Sequence, residues 1–375
     1  MHDWNFFSDV IVEPGLVGVD SARLQRVRSS LESTVSQGLV HGAVLLIGCR
    51  GGVILHDAVG LCQTTPTEQV MTRDTIFDLA SLTKVVATWP ATMCLVQDME
   101  IDLADPISKY LDLDRNCGMM REITIQQLLT HTSGLSSQTP LQQYGASKSE
   151  IINGILRDGR DAPPGGTVSY SNRGFIILGA IVETVAGMSL DSYVRSKIWE
   201  PLDMRDTQFN PPAASVCRIA PTEYREELGR CQRGEVHDES AALLAGIAGH
   251  AGVFSTSADL ASFCALTLAN GQRQGQKILD SRLVDQSFRN WTSGLNQPMG
   301  LAWIPYEGFS AGRYIYGHLG FTGTAIWLSR ECDLFVILLT NRVHPTRHED
   351  LAIRDMRREI IKMSLGLVEE SNATG

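Results

Sequence analysis

Ser81-Leu82-Thr83-Lys84 places a hydroxyl three residues ahead of an amine, at the head of an apolar run from Val85 to Met99. If a helix begins there, residues three apart share a face, with Cβ atoms roughly 5–6 Å apart. A serine hydroxyl is a weak nucleophile until a base takes its proton. A lysine becomes that base when burial or neighbouring cations lower its pKa. A helix start also aims backbone N–H groups at the point where negative charge develops in acyl transfer. The chemistry on offer is therefore covalent acyl transfer. Alone, Ser-x-x-Lys also reads as a helix cap followed by a surface lysine. Composition argues against the surface reading. Only six lysines stand among the 32 basic residues, and behind this one no charge follows until Asp98.

Two further stretches carry chemistry. Ser169-Tyr170-Ser171-Asn172 follows a Pro-Gly turn and precedes a helical run, Phe175–Val185. The Tyr170 phenol can relay a proton if a neighbouring ammonium lowers its pKa. Asn172 can donate to a substrate carbonyl and accept from the lysine. The other reading is a loop tyrosine and a helix-capping asparagine. Tyr316-Gly317-His318-Leu319-Gly320-Phe321-Thr322-Gly323 leads into a strand. Its glycines allow close approach to the backbone, as an edge strand lining a pocket requires. The N–H of Phe321 can then join that of Ser81 to hold an oxyanion. Without a pocket, the segment is a glycine-rich turn with a surface histidine.

The elements that must position these groups come in a distinctive order. Leu24, Val27, Leu31 and Val35 have helical spacing over residues 20–37. Ala43–Ile47 and Val53–Leu55 form a hairpin pattern around Arg50-Gly51-Gly52. The middle is mostly helical: Val85–Met99, Ile123–Leu129, Glu150–Arg157, Phe175–Val185 and Ser257–Leu268, with Pro90 expected to bend the first. Thr324–Leu328 and Leu334–Thr340 make a second hairpin, and a helix from His348 to Met363 closes the chain. Leu334–Leu339 has no polar alternation, so both its faces should be covered. The expected class is α+β. An antiparallel sheet from both termini with flanking helices (residues 1–80 and 290–375) forms an α/β sandwich lobe, and residues 81–289 form a helical lobe. The site would lie at their seam. The tail, Glu369 to Gly375, reads as disordered.

Taken together, Ser-x-x-Lys, Tyr-Ser-Asn and His-x-Gly, in this order, resemble the penicillin-recognising serine hydrolases. That family includes class C β-lactamases, serine DD-peptidases, family VIII esterases and related transacylases. Leu128–Leu135, Pro164–Thr167, Gly179–Glu183, Gly249–Thr256 and Leu339–Arg342 match as well, so the likeness spans about residues 20–365. The resemblance implies Ser81 as nucleophile, Lys84 as its base, Tyr170 as proton relay and Asn172 as the group orienting lysine and substrate. His318 stands where many relatives carry a lysine, and several esterase-like branches also carry histidine.

Leu319 departs from the family, which has threonine there. In relatives acting on penicillins or D-alanyl peptides, that hydroxyl and the nearby lysine hold a carboxylate. Losing a hydrogen bond to a charged group costs about 1.5–3 kcal/mol, roughly ten- to a hundredfold in binding. The expectation is a neutral acyl donor, an ester or amide of a small molecule. Release to water would make an esterase, and release to an amine or alcohol a transacylase. The alternatives are a β-lactamase or D-alanyl-D-alanine peptidase, and, in another class, an inactive binding protein on the same fold.

Net charge of −10 and the lack of a basic cluster argue against nucleic acid and membrane partners. Met1–Phe7 lacks the basic and apolar regions of a signal peptide, so a cytoplasmic location is expected. The eight cysteines are scattered and read as thiols, with no Cys-x-x-Cys site. His237, Asp238, Glu239 and His250 include metal-ligand types, but they read better as a hydrogen-bonded loop over the pocket. No metal or cofactor is expected.

Overall fold

The hairpin turn at Arg50-Gly51 shows how the sequence sets the sheet. Both residues have positive φ, 48° and 89°, the backbone that matches a two-residue turn to the strand twist. It joins β1 (Gly42–Cys49) to β2 (Gly52–Gln63), longer strands than the apolar runs alone suggest. This computed structural model describes residues 11–113, 115–137, 140–306, 314–347 and 351–368. The N-terminal residues read for a signal peptide, the tail Glu369–Gly375, and residues 348–350 lie outside that set.

Five more strands complete a seven-stranded sheet: β3 (Gln69–Val70), β4 (Ile304–Tyr306), β5 (Ile315–Leu319), β6 (Ala325–Ser329) and β7 (Leu334–Thr340). Their order is β4-β5-β6-β7-β1-β2-β3, antiparallel throughout. The two chain ends meet where Leu45 pairs with Leu338.

Side-chain alternation explains the unbroken apolar run of β7. Leu334, Val336 and Leu338 face α1 (Ser21–Ser36) and the closing helix, in one cluster with Val27, Leu31 and Ile360. Phe335, Ile337 and Leu339 face the other way, into a larger cluster with Trp89, Phe263 and Trp199. The closing helix runs from Leu351 to Leu365.

The segment after Ser81 is not one helix. Ser81 lies in a single tight turn, Ala80–Leu82, followed by a π-helical turn, Lys84–Thr88. Only then does α2 (Trp89–Gln97) begin. The physical reason is Pro90, which has no N–H for the carbonyl of Val86 four residues earlier. The indole N–H of Trp199 donates to that carbonyl at 3.2 Å. Pro90 therefore sits in the first turn of α2 instead of bending the middle of a longer helix.

Candidate active site

Strain and anchoring present Ser81. Ala80, just before it, has φ of 46°, a conformation that costs a non-glycine residue roughly 1–3 kcal/mol and persists only where its surroundings hold it. The Asp78 carboxylate accepts from Ala80 N–H at 2.8 Å and from His237 N–H at 2.7 Å. Thr322 Oγ1 donates to the Asp78 carbonyl at 2.7 Å, and Thr324 Oγ1 to that of Leu79 at 3.0 Å. The turn between β5 and β6 is thus tied to the nucleophile turn. Burial raises the Asp78 carboxyl pKa against the pull of its two N–H donors.

Gly320 makes that approach possible. A Cβ there would lie 2.0 Å from Thr324 Oγ1 and 2.5 Å from the Leu79 carbonyl oxygen. Gly320→Ala must push the two segments apart. The expected loss is about 1–3 kcal/mol of stability, read as a lower denaturant midpoint, with an accompanying fall in turnover. Wild-type values for both would show that the turns do not need this contact.

Lys84 is completely buried and stands between the groups expected around it. Its Nζ donates to Ser81 Oγ at 3.0 Å, to Asn172 Oδ1 at 2.9 Å and to the His250 carbonyl at 3.2 Å. The Tyr170 ring centre is 4.8 Å away. Burial pushes the amine pKa down from 10.5 to about 7, against the upward pull of the Asp238 charge. Much of Lys84 is therefore neutral near pH 7; in that form its two N–H bonds serve Asn172 and His250, and its lone pair faces Ser81 Oγ and can accept the hydroxyl proton.

Asn172 opens α3 (Asn172–Ala186), which sends its side chain toward Lys84. Tyr170 keeps 36% of its surface open, on the exposed side of the cluster. Protein still crowds its phenol, and desolvation raises its pKa above 10, although a hydrogen bond with Ser81 works the other way. The condition set for a relay by a lowered pKa is not met: burial dominates and the pKa is raised. Tyr170 stays a neutral phenol, a donor and not a base.

The Tyr170 loop is set by His131. The His131 carbonyl accepts from Ser169 N–H at 2.9 Å and its Nδ1 from Ser171 N–H at 3.1 Å. The two rings lie 4.5 Å apart, centre to centre. Burial drives the His131 pKa well below 6.5, with Lys84 adding to the effect.

His318 is buried on the inner face of β5, its ring 6.0 Å from that of Tyr170. Its Nδ1 lies 3.1 Å from the Leu319 carbonyl. An acceptor there requires Nδ1 to carry the proton, which leaves Nε2 an acceptor. Burial, then the charge of Lys84, takes its pKa to about 3, so the imidazole is neutral at working pH. The Leu319 side chain is not brought to this group. Alternation turns it to the opposite face, against the cluster of α1 and the closing helix.

Phe321 N–H has no acceptor among the described residues, as an oxyanion donor requires. Its half-exposed ring stacks on His237 at 5.7 Å with the Arg342 guanidinium 4.7 Å away. A cavity of about 520 Å³ opens beside Asn172, with Leu141, Ile176, Ser137 and Ser240 among its walls. A second, of about 560 Å³ between His56, Arg73 and Asp259, contains none of the site residues.

The loop weighed for metal binding is built differently. His237 Nε2 pairs with Glu223 at 3.2 Å and His250 Nε2 with Asp238 at 2.9 Å. Among the described residues, no three or more potential ligands converge. Sequence reasoning missed Asp78 and the reach of Asp238 to Lys84. A charge embedded in the apolar run Ile76–Leu79 was the available signal for Asp78.

A sheet assembled from both chain ends, with a buried lysine touching a serine beneath it, defines a serine hydrolase. The chain belongs to the Beta-lactamase family, whose model matches residues 27–358. A relative from Salmonella enteritidis PT4, named "Putative D-alanyl-D-alanine carboxypeptidase", is 30% identical, with 89% of this chain and 86% of that protein aligned. Among solved structures, "EstCE1, a hydrolase with promiscuous acyltransferase activity" matches with TM-score 0.72 and 22% identity, over 89% of this chain and 98% of that one. A class C beta lactamase from Rhodobacter sphaeroides gives TM-score 0.72 and 21% identity, over 91% and 98%. These structural likenesses concern the fold.

Proposed function

We propose that the protein transfers acyl groups from small neutral esters through a Ser81 acyl-enzyme. Neutral Lys84 takes the Ser81 proton as Oγ bonds to the substrate carbonyl carbon. The N–H groups of Ser81 and Phe321 hold the resulting oxyanion. As the carbon–oxygen bond to the leaving group breaks, Tyr170 gives that oxygen its phenol proton and is reprotonated through the Lys84 ammonium. Water, or a small amine or alcohol, then releases the acyl group by the reverse sequence of transfers. The observation that carries this reading is Lys84 Nζ at 3.0 Å from Ser81 Oγ, with its pKa near 7.

The neutral-substrate part rests on His318. In the place of a cation it offers a neutral ring, while the Leu319 side chain lies on the opposite face of the strand and takes no part. A carboxylate therefore finds a weak partner there. The name of the Salmonella relatives favours a second reading, a D-alanyl-D-alanine carboxypeptidase.

A fluorophosphonate probe should label the protein and fail to label Ser81→Ala. Turnover of p-nitrophenyl butyrate should exceed that of nitrocefin and of a D-alanyl-D-alanine peptide. Faster turnover of either carboxylate substrate would reverse the assignment. A folded protein that resists the probe would be a binding protein. Product mass spectrometry with added amines separates transfer from hydrolysis.

The lysine's state gives a second expected result. Activity needs the neutral amine, so kcat/KM for an uncharged ester should rise with pH through about 7 and then level off. The raised Tyr170 pKa keeps its proton in place over the same range. A pH–rate profile from about pH 5 to 10 checks this. Activity falling as pH rises through 7 would mean that a protonated Lys84 is the working form.

A further inference from the structure

The segment from His237 to Val253 grips the nucleophile turn at five points. His237 N–H binds Asp78, and the His250 carbonyl binds Lys84. The Gly249 carbonyl accepts from Thr88 Oγ1 at 2.6 Å, Val253 N–H donates to Thr83 Oγ1 at 3.1 Å, and the Val253 carbonyl accepts from Leu79 N–H at 2.9 Å. Within this grip lies a carboxylate–imidazole pair, Asp238 Oδ1 to His250 Nε2 at 2.9 Å. His250 is fully buried, and its Nδ1 has no hydrogen-bond partner. Asp238 is also the N-cap of the short helix Glu239–Leu243, accepting from Ala241 N–H at 2.8 Å.

We propose that Asp238, held by His250, is a positioning residue that supplies the counter-charge for the Lys84 ammonium formed when Ser81 gives up its proton. This inference rests on the reading of Lys84 as base. When the proton crosses from Ser81 Oγ to Lys84 Nζ, a positive charge appears on a fully buried side chain. A fixed anion nearby stabilises that charge without reorganising as it forms. The groups facing Lys84 are Ser81 and the turn behind it, Tyr170 and Asn172 on the α3 side, His131, His318 on β5, and the Asp238–His250 pair. His131 and His318 are held neutral, so Asp238 is the carboxylate acting on the amine. Facing Asp238 are His250, Lys84, Asp78 and Tyr170. Desolvation works to raise the Asp238 pKa, yet His250, Ala241 N–H and Lys84 together hold it well below the ordinary carboxylate range. It is an anion at every pH where the enzyme would work.

Asp238→Asn keeps the helix cap, since asparagine caps as well as aspartate, and removes the charge. An opposite charge within reach raises an ammonium pKa by about 1 unit or more. The rising limb of kcat/KM should therefore move about one pH unit lower. On the alkaline plateau, kcat/KM should fall about tenfold, because the ammonium formed in the transition state has lost its partner. Asp238→Glu should restore part of both. Asp238→Ser, which also caps, repeats the test, and the pH dependence of fluorophosphonate labelling reads the limb on folded protein alone. A limb left in place, whatever the loss of rate, would show that Asp238 only caps its helix and overturn the inference while Lys84 remains the base. A wild-type profile with no limb near pH 7 would overturn both.

Discussion

Lys84→Ala should lower kcat/KM for a neutral ester by about 10⁴-fold, and adding Ser81→Ala should lower it little further. The two residues act as one unit, so removing either forfeits most of what the pair does. In Lys84→Ala the Ser81 hydroxyl has lost the amine that stood 3.0 Å away. Tyr170, a phenol with a raised pKa, is no substitute base. The same variant should change stability in a way that identifies the lysine's state. In the unfolded chain the amine titrates at its ordinary 10.5, and in the folded protein near 7. Between those values the unfolded chain binds more protons, so wild-type stability should rise with pH across that window. Lys84→Ala should lack this rise. Denaturant midpoints measured at several pH values would show it, at up to about 1.4 kcal/mol per unit of pH. Parallel curves for the two proteins would mean that Lys84 is charged in the folded state, and the base assignment would fall.

The parts of this molecule that were legible in its sequence are those where one local pattern has one packing solution. The hairpins could be read because Arg50-Gly51 and the apolar runs beside it leave few alternatives. The run Leu334–Leu339 announced a strand buried on both faces, and the two clusters on either side of β7 supply the covers. What could not be read were effects that depend on partners far along the chain. Pro90 sits comfortably because Trp199, more than a hundred residues later, satisfies the carbonyl it leaves unpaired. Whether an ammonium lowers the Tyr170 pKa was an open condition in the sequence, and the burial that raises it instead exists only in the fold. Leu319 looked like a substrate-facing substitution, and only the register of β5 shows which side its chain takes. Asp238 and His250 looked like possible ligands because neighbours in sequence say nothing about what a buried pair faces. Residue types at the site were visible early. Their protonation states and directions required the fold.

Those protonation states give Tyr170→Phe its expected signature. The variant removes only the hydroxyl. The ring that lies 4.5 Å from His131 and 4.8 Å from the Lys84 nitrogen remains, so the Tyr170 loop should keep its place. If the phenol donates its proton to the leaving oxygen, the loss must depend on how much that oxygen needs one. An alkyl ester expels a strongly basic alkoxide, and there the fall in kcat/KM should be about 10²- to 10⁴-fold. A p-nitrophenyl ester expels a stabilised anion that leaves without help, and there the fall should be no more than about tenfold. Comparing matched ethyl and p-nitrophenyl esters of one acid in wild type and variant isolates this difference, because the acyl group and the attack by Ser81 are common to both. Equal losses on the two esters would assign the hydroxyl to orienting Ser81, with which it shares a hydrogen bond. A larger loss on the activated ester would contradict proton donation outright. The unequal result alone follows from a neutral lysine that takes a proton and a neutral phenol that gives one, two groups whose ordinary pKa values near 10 are driven apart by burial.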